Sequence, residues 1–338
     1  MDNTKTDLTG SPSISDFNSK EKGPKNHNWV DFEKGSVDRK IFSDESIYQA
    51  ELNKIFARGW NFMCHESQIV EPGSYFTNYI GEDHVIAVRD KNLQVQVLIN
   101  SCPHRGNTVC RAEQGQTRSF FCSYHGWNFG LDGKLIGLPG QGGLDKEKWG
   151  LSKAPHVDIY KGFVFASLDP DAISLEDFLG WVGRLGLDQV AEQGDIEVVD
   201  GIQKNVIQCN WKLAVDNLFD WYHGNVSHGS AMKLGLLTEE FVAPMSQMVI
   251  LGEYGHAIGG PGISQKEQQR LIEKYQHVDT ASNRKKPKNA NSWRGEKSAK
   301  DALGPVGIRC KGHPNIFPNL WVSTGGTQLC LRLPKGPT

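Results

Sequence analysis

The sequence predicts an α+β protein: a small all-β module followed by a larger domain in which helices pack on an antiparallel sheet. Three observations carry this. Between residues 59 and 175 the chain breaks into short runs such as SYFTNYI, HVIAVRD, LQVQVLIN, GKLIGL and GFVFASL. Gly, Pro, Asp and Asn turns separate them at the eight-to-twelve-residue spacing of all-β modules. Helical periodicity then appears in LEDFLGWVGRLGL and in KLAVDNLFDWYHGNVSH. Strand patterns return at FVAPMSQMVILGEYGHA and at IFPNLWVS to TQLCLRLP, which implies an antiparallel sheet with helices packed on it.

Taken in order, residues 1–28 are rich in Ser, Thr, Asp, Asn, Lys and Gly and read as a disordered arm. In 29–58, SDESIYQAELNKIFARGW begins with cap residues and acids and carries Ile47, Leu52, Ile55 and Phe56 at amphipathic spacing. This segment is expected to pack on the C-terminal domain. Residues 59–175 form the all-β module and 176–338 the second domain, with DIEVVDGIQKNVIQCNW expected to contribute strand. Residues 280–301 hold seven Lys or Arg and read as a solvated loop, with docking of an acidic redox partner as the alternative.

The formal charge of -2 over 338 residues gives no global basic field for nucleic acid. No apolar run reaches the length of a membrane span and no leader peptide is evident, so a cytoplasmic location is expected. Seven cysteines are too sparse for a disulfide framework and turn attention to metal binding.

Cys102 and His104 sit in NSCPHRG, and Cys122 and His125 in FFCSYHGWNFG. Each half supplies one thiolate and one imidazole, unlike the common zinc finger, which segregates them. Two such loops suit a two-iron cluster with two cysteines on one iron and two histidines on the other; a mixed zinc site is the alternative. Gly106 and Gly126 permit tight loops, and Tyr124 and Trp127 are placed to shield the metal. At this point the chain resembles the Rieske iron–sulfur proteins. Replacing two thiolates by imidazoles raises the potential from roughly -400 mV to -150 mV or above. Respiratory Rieske proteins carry an extra, disulfide-linked cysteine in each loop; Asn107 and Tyr124 stand there instead, and Cys110 reads as a buried free thiol.

About one hundred residues later come Asp216, Asn217, Asp220, His223 and His228. Two histidines five apart are separated by about 140° on an ideal helix, so they share a metal only if the helix unwinds, which Gly224 permits. Two imidazoles and a carboxylate would form the facial triad of non-haem Fe(II). Together the two motifs resemble the α subunits of Rieske non-haem iron aromatic-ring-hydroxylating dioxygenases, from about Val30 onward, including IFARGWNFMCHESQIVEPGSYF and HPNIFPNLW.

The resemblance implies an all-β Rieske [2Fe-2S] domain and a helix-grip catalytic domain. It implies Cys102, His104, Cys122 and His125 as cluster ligands and His223 and His228 as iron ligands. Asp220 would link its iron histidine to His125 of a neighbouring protomer, in a homotrimer or in an α3β3 assembly with a small β subunit, and Asn217 would lie near the iron's open face. Leu218, Phe219, Gly224, Phe317 and Asn319, with Ile316 and Leu320, would line an apolar substrate pocket, and His256 and His313 are candidate substrate hydrogen-bonders. Arg309, Lys311 and Arg332 leave an aromatic acid open as substrate.

The implied reaction is cis-dihydroxylation of an aromatic ring with O2. No dinucleotide-binding or phosphate-binding glycine motif is present, so electrons from NAD(P)H are expected from a separate reductase, directly or through a ferredoxin. A Rieske monooxygenase or O-demethylase is the alternative, and a catalytically incomplete electron-transfer remnant is another. The family's third iron ligand, an aspartate beyond the IFPNL segment, has no candidate, because no Asp or Glu follows Asp301. Glu239, Glu240 and Glu253 lie elsewhere, so no third ligand is assigned, and the sequence is expected to stop short of it; a divergent chain that holds its iron on two histidines and waters is the alternative.

Overall fold

The computed structural model describes residues 29–338 except 141–142, 200, 218, 221–222, 236–246, 263–291 and 324–327. The expected arm at 1–28 and most of the basic segment lie outside the described residues. The fold separates into two units, one holding Ile69–Ala154 with the described chain up to Arg58, the other Gly59–Gln68 with Pro155–Gly336.

In the first unit a short hairpin, β1 (Val30–Asp31) and β2 (Ser36–Val37), precedes helix α1 (Glu45–Glu51). Asp44 caps α1 by accepting from the Ser46 and Ile47 N–H groups. The helix belongs to this unit, where the buried Tyr48 donates its hydroxyl to Glu82 at 2.6 Å. Leu52 and Phe56 also lie against Gly81, close to where a Cβ there would project.

Strands β4 (Ser74–Ile80), β5 (Asp83–Arg89), β6 (Val95–Ile99) and β7 (Gln114–Gln116) form an antiparallel sheet in the order β6-β5-β4-β7. A second sheet is built from β8 (Phe120–Phe121), β9 (Asn128–Phe129) and β10 (Leu135–Gly137), in the order β10-β9-β8. Ile86, Leu98, Phe120, Trp127 and Phe129 fill the core to which these strands contribute.

The second unit takes β3 (Asn61–His65) from early in the chain and pairs it with β12 (Phe163–Ser167), which also pairs with β11 (His156–Tyr160). These strands fall inside the span expected to be the all-β module. Phe62, Phe163 and Phe165 instead share a core with Phe178 and Leu179 of helix α2 (Leu175–Ala191) and with Leu320 and Val322.

The main sheet runs in the order β13-β14-β15-β16-β17, every pair antiparallel, through Gln247–Leu251, Ala257–Pro261, His313–Ile316, Leu320–Ser323 and Gln328–Leu331. The expected helical motif forms as three short pieces, α3 (Trp211–Asp216), α4 (Gly224–Ser227) and α5 (Gly229–Lys233).

Two expectations are corrected. The described residues of 195–210 form no strand, and Val206 and Ile207 are exposed; apolar alternation makes no strand without an edge to pair with. The described end of the basic segment is not a solvated loop. Trp293 and Arg294 are buried, Arg294 donates to the Ile308 and Cys310 carbonyls at 2.7 Å, and helix α6 (Lys297–Gly307) follows. Among the described residues no helix is long and apolar enough to cross a membrane.

Candidate functional site

The two Cys/His loops share one backbone design. The Cys102 N–H donates to the Asn107 carbonyl and the Gly106 N–H to the Cys102 carbonyl; Cys122 pairs with Trp127 and Gly126 in the same way. All four bonds measure 2.8–2.9 Å. Gly106 (φ 72°) and Gly126 (φ 75°) both stand in the left-handed region at the fourth position after the cysteine, where a side chain would be strained. The loops differ in where the imidazole sits, two residues after Cys102 and three after Cys122.

Each sulfur receives backbone N–H groups, from His104 and Arg105 at Cys102 and from Tyr124 and His125 at Cys122. Asn107 adds a side-chain donor to the Cys122 Sγ at 3.6 Å, reaching from one loop to the ligand of the other. Burial, with the neighbouring Cys122 thiol, pushes Cys102 up to about 11. Burial also raises Cys122, but its backbone donors, Cys102 and Asn107 outweigh it and hold the thiol below its ordinary value. The N–H donors gathered on the two sulfurs favour their thiolate forms, the form that receives a metal.

Both cysteines are buried, while His104 is half-buried and His125 exposed. The imidazole centroids lie 4.5 Å apart. Trp127 stacks on His104 at 5.1 Å with planes 4° apart, Tyr124 covers His125 at 3.8 Å, and Trp149 meets Trp127 edge-on. Two sulfurs inward and two imidazoles outward, a pair for each of two irons, fit the donor set of a Rieske [2Fe-2S] cluster. No three His, Cys, Asp or Glu side chains among the described residues group as a single ion would need.

Asn100, which the sequence reading missed, closes the first loop. Its Oδ1 accepts from the Val109 and Cys110 N–H groups at 3.1 and 2.9 Å, and its Nδ2 donates to the Cys110 carbonyl. The Asn-Ser-Cys string was visible, but nothing local marks an amide that folds the chain ten residues on. Cys110 itself is a buried free thiol, as expected; all seven cysteines are free.

In the second constellation the helix is interrupted between His223 and His228. Asn217 caps the C-terminus of α3, His223 precedes α4, and His228 stands between α4 and α5. The two imidazole centroids are 5.4 Å apart, close to the roughly 5 Å spacing of two rings whose nitrogens each lie about 2.0–2.1 Å from one ion. His223 Nδ1 hydrogen-bonds the Asp220 carbonyl, which leaves Nε2 for a metal. The Asp220 carboxylate lies 3.7 Å from the same nitrogen, and its Oδ1 is buried without a hydrogen-bond partner. No third carboxylate joins the histidines among the described residues.

The pocket expectation fares differently. Leu218, Glu239 and Glu240 lie outside the described residues. Phe219 is exposed, Gly224 opens α4, and Phe317 touches the Trp211 ring at 5.7 Å. Asn319 is not a pocket residue: its Oδ1 accepts from the Phe62 N–H at 2.8 Å and its Nδ2 donates to the Phe62 carbonyl at 2.9 Å, tying β3 to the main sheet. Ile316 and Leu320 are core under α2. Nor is His256 free to meet substrate: Nε2 donates to the Phe178 carbonyl and Nδ1 accepts from the Phe317 N–H.

Comparison with known proteins places these motifs. Residues 59–149 match the Rieske [2Fe-2S] domain, and residues 185–338 match the catalytic domain of the ring hydroxylating alpha subunit. The chain is 40% identical over 240 residues to the benzene 1,2-dioxygenase alpha subunit of Pseudomonas putida, covering 69% of this chain and 53% of that one. It is 43% identical over 215 residues to the biphenyl 2,3-dioxygenase alpha subunit of Rhodococcus jostii, covering 61% and 46%. Among solved structures, naphthalene 1,2-dioxygenase from a Rhodococcus species bound to indole superposes with a TM-score of 0.69 at 32% identity, over 89% of this chain and 70% of that one. The chain spans about half the length of the first two relatives.

Proposed function

This chain belongs to the Rieske-type ring-hydroxylating dioxygenase alpha subunits, and from that premise we propose that it is the oxygenase component that cis-dihydroxylates an aromatic ring with O2. Cys102, His104, Cys122 and His125 hold the cluster, and His223 and His228 hold the iron. When bound, the cluster supplies single electrons and the ferrous ion activates dioxygen.

The protein's own work is positioning. Backbone N–H groups of the two loops neutralise the sulfurs, and Trp127 and Tyr124 fix the imidazole planes. The Asp220 backbone carbonyl selects the His223 tautomer. We infer that the Asp220 carboxylate, whose side chain is 37% exposed, meets an imidazole N–H of a neighbouring protomer's cluster, with His125 the ligand exposed for it. A carboxylate between two metal-bound imidazoles orients both and carries the electron route between subunits. This implies a ring of three, as a homotrimer or with a small β subunit. Asn217, exposed at the end of α3, stands beside the iron motif.

Electrons come from a separate NAD(P)H-dependent reductase, directly or through a ferredoxin. We place the protein in the cytoplasm, where nicotinamide is available and the five cysteines outside the cluster stay reduced. The observation that carries the reading is the coexistence of the twin Cys/His loops with the paired histidines and orphaned carboxylate of the second unit. Its test is a single turnover of the reduced, iron-loaded protein on a panel of aromatic compounds under 18O2. A cis-diol with both labelled atoms is expected; one labelled atom would make it a monooxygenase or demethylase, and no product would make it an electron carrier.

A further inference from the structure

The fifth residue after the cysteine in each Cys/His loop serves its own loop with its backbone and the other loop with its side chain. In the first loop the Asn107 carbonyl accepts the Cys102 N–H at 2.9 Å, and in the second the Trp127 carbonyl accepts the Cys122 N–H at 2.8 Å. Their side chains then cross. Trp127 stacks on His104, a ligand of the first loop, and the Asn107 Nδ2 donates to the Sγ of Cys122, a ligand of the second, at 3.6 Å. One crossing ends on an imidazole and the other on a sulfur.

Closing the loop needs no amide at position 107, because the closing bond is made by a backbone carbonyl that any residue supplies. The side chain is therefore free to serve the sulfur. Its Nδ2 also donates to the Thr108 carbonyl at 3.1 Å, which engages the second amide hydrogen and fixes the plane of the group. Asn107 is half-buried and Cys122 is buried, so the N–H meets the sulfur in surroundings partly free of water, where such a bond is stronger than in solvent. An electron taken up by a cluster adds negative charge to its sulfur ligands, and a donor bonds a more negative acceptor more strongly. Hydrogen bonds to the sulfurs are among the levers that set the potential of an iron–sulfur cluster.

We propose that Asn107 is a positioning residue that raises the reduction potential of the cluster through its hydrogen bond to the Cys122 sulfur. The proposal deepens the function given above and rests on it for the presence of the cluster. One electron arrives from the separate reductase; no bond forms or breaks, and Asn107 keeps both amide protons. The amide makes that electron easier to accept and leaves less driving force for passing it to the iron.

The test is a redox titration of the cluster-loaded protein, poised with dithionite and followed by the electron paramagnetic resonance of the reduced cluster. Asn107→Leu keeps the volume and loses the donor. It is expected to lower the equilibrium constant for one-electron reduction about tenfold, which is about 59 mV. Asn107→Asp puts a negative charge where the donor stood and lowers the constant further, while Asn107→Gln retains an amide and stays within about threefold of the parent. Iron and sulfide per chain are expected to match the parent, because the backbone still closes the loop. Should Asn107→Leu fail to hold the cluster, Asn107→Asp, which is the same size as the parent, decides. Constants within about twofold of the parent in both variants, or a cluster lost from all three, would overturn the proposal and leave Asn107 a brace between the loops. In the first case the cluster assignment stands and this inference alone falls. A parent protein with no reducible cluster signal would remove the assignment and the inference together. If the potentials shift as expected and no aromatic compound is oxygenated, the tuning stands and the oxygenase function falls.

Discussion

Trp127 and His104 stack face to face, 5.1 Å apart with planes 4° from parallel, and the Trp127 carbonyl also closes the loop around Cys122. One residue thus fixes an imidazole of the first loop and the backbone of the second. Trp127 is buried, and truncating a buried Trp to Ala costs about 3–5 kcal/mol. We predict that Trp127→Ala lowers the melting temperature and loses iron and sulfide together. Trp127→Phe should keep the cluster at a cost of about 1 kcal/mol, the worth of an aromatic pair. Iron and acid-labile sulfide assays on both variants check this.

Asn319 separates a structural from a substrate role. Removing its amide takes away the Asn319 partner of both the Phe62 N–H and C=O inside the second unit, at about 1–3 kcal/mol for each bond lost. Asn319→Ala should lower the urea midpoint by an amount equivalent to about 2–6 kcal/mol. The surviving folded enzyme should keep its KM; a raised KM at unchanged stability would restore Asn319 to the pocket.

His256 and His313 make stability depend on acid. Burial depresses both, each to about 4 from 6.5, and backbone carbonyls of Phe178 and Val322 only partly oppose it. In this window the unfolded chain takes up protons that the folded chain refuses. The stabilisation is therefore complete above about pH 6.5 and lost as pH falls toward 4, up to about 3 kcal/mol per residue. Asp83 and Asp188, raised chiefly by burial, act in the opposite direction. Urea midpoints between pH 4 and 7 should therefore flatten in His256→Gln relative to the parent, and parallel curves would refute the burial of a neutral His256.

Much of this was legible in the chain. SYFTNYI became β4 residue for residue because a two-sided pattern bounded by glycines leaves one register. The Cys/His strings carried their own turn glycines, and Gly224 with the five-residue His spacing announced a broken helix. What escaped were roles set at long range. Asn319 reads as a polar residue after a proline and acts as a clamp on Phe62, 257 positions away. Arg294 reads as one charge in a basic loop and instead holds two carbonyls in a core. Val206 and Ile207 read as strand and lie exposed, because pairing depends on a neighbour that local pattern does not encode.

Asp220 tests the electron route. Asp220→Asn keeps size and one acceptor oxygen but removes the charge that favours two imidazole N–H donors. Metal-site partners of this kind cost about 10–100-fold when changed. The variant should retain its cluster absorption and reduce normally, while the cluster fails to reoxidise on adding substrate and O2. Turnover within twofold of the parent would remove Asp220 from the route.

The central claim is that one chain holds a two-iron cluster in its first unit and a single iron in its second. Metal and sulfide per chain measure it most directly. The account predicts about three iron and about two sulfide, falling to about two iron with sulfide unchanged in the His223→Ala/His228→Ala double variant. Zinc without sulfide, or an iron count indifferent to those two histidines, would contradict it.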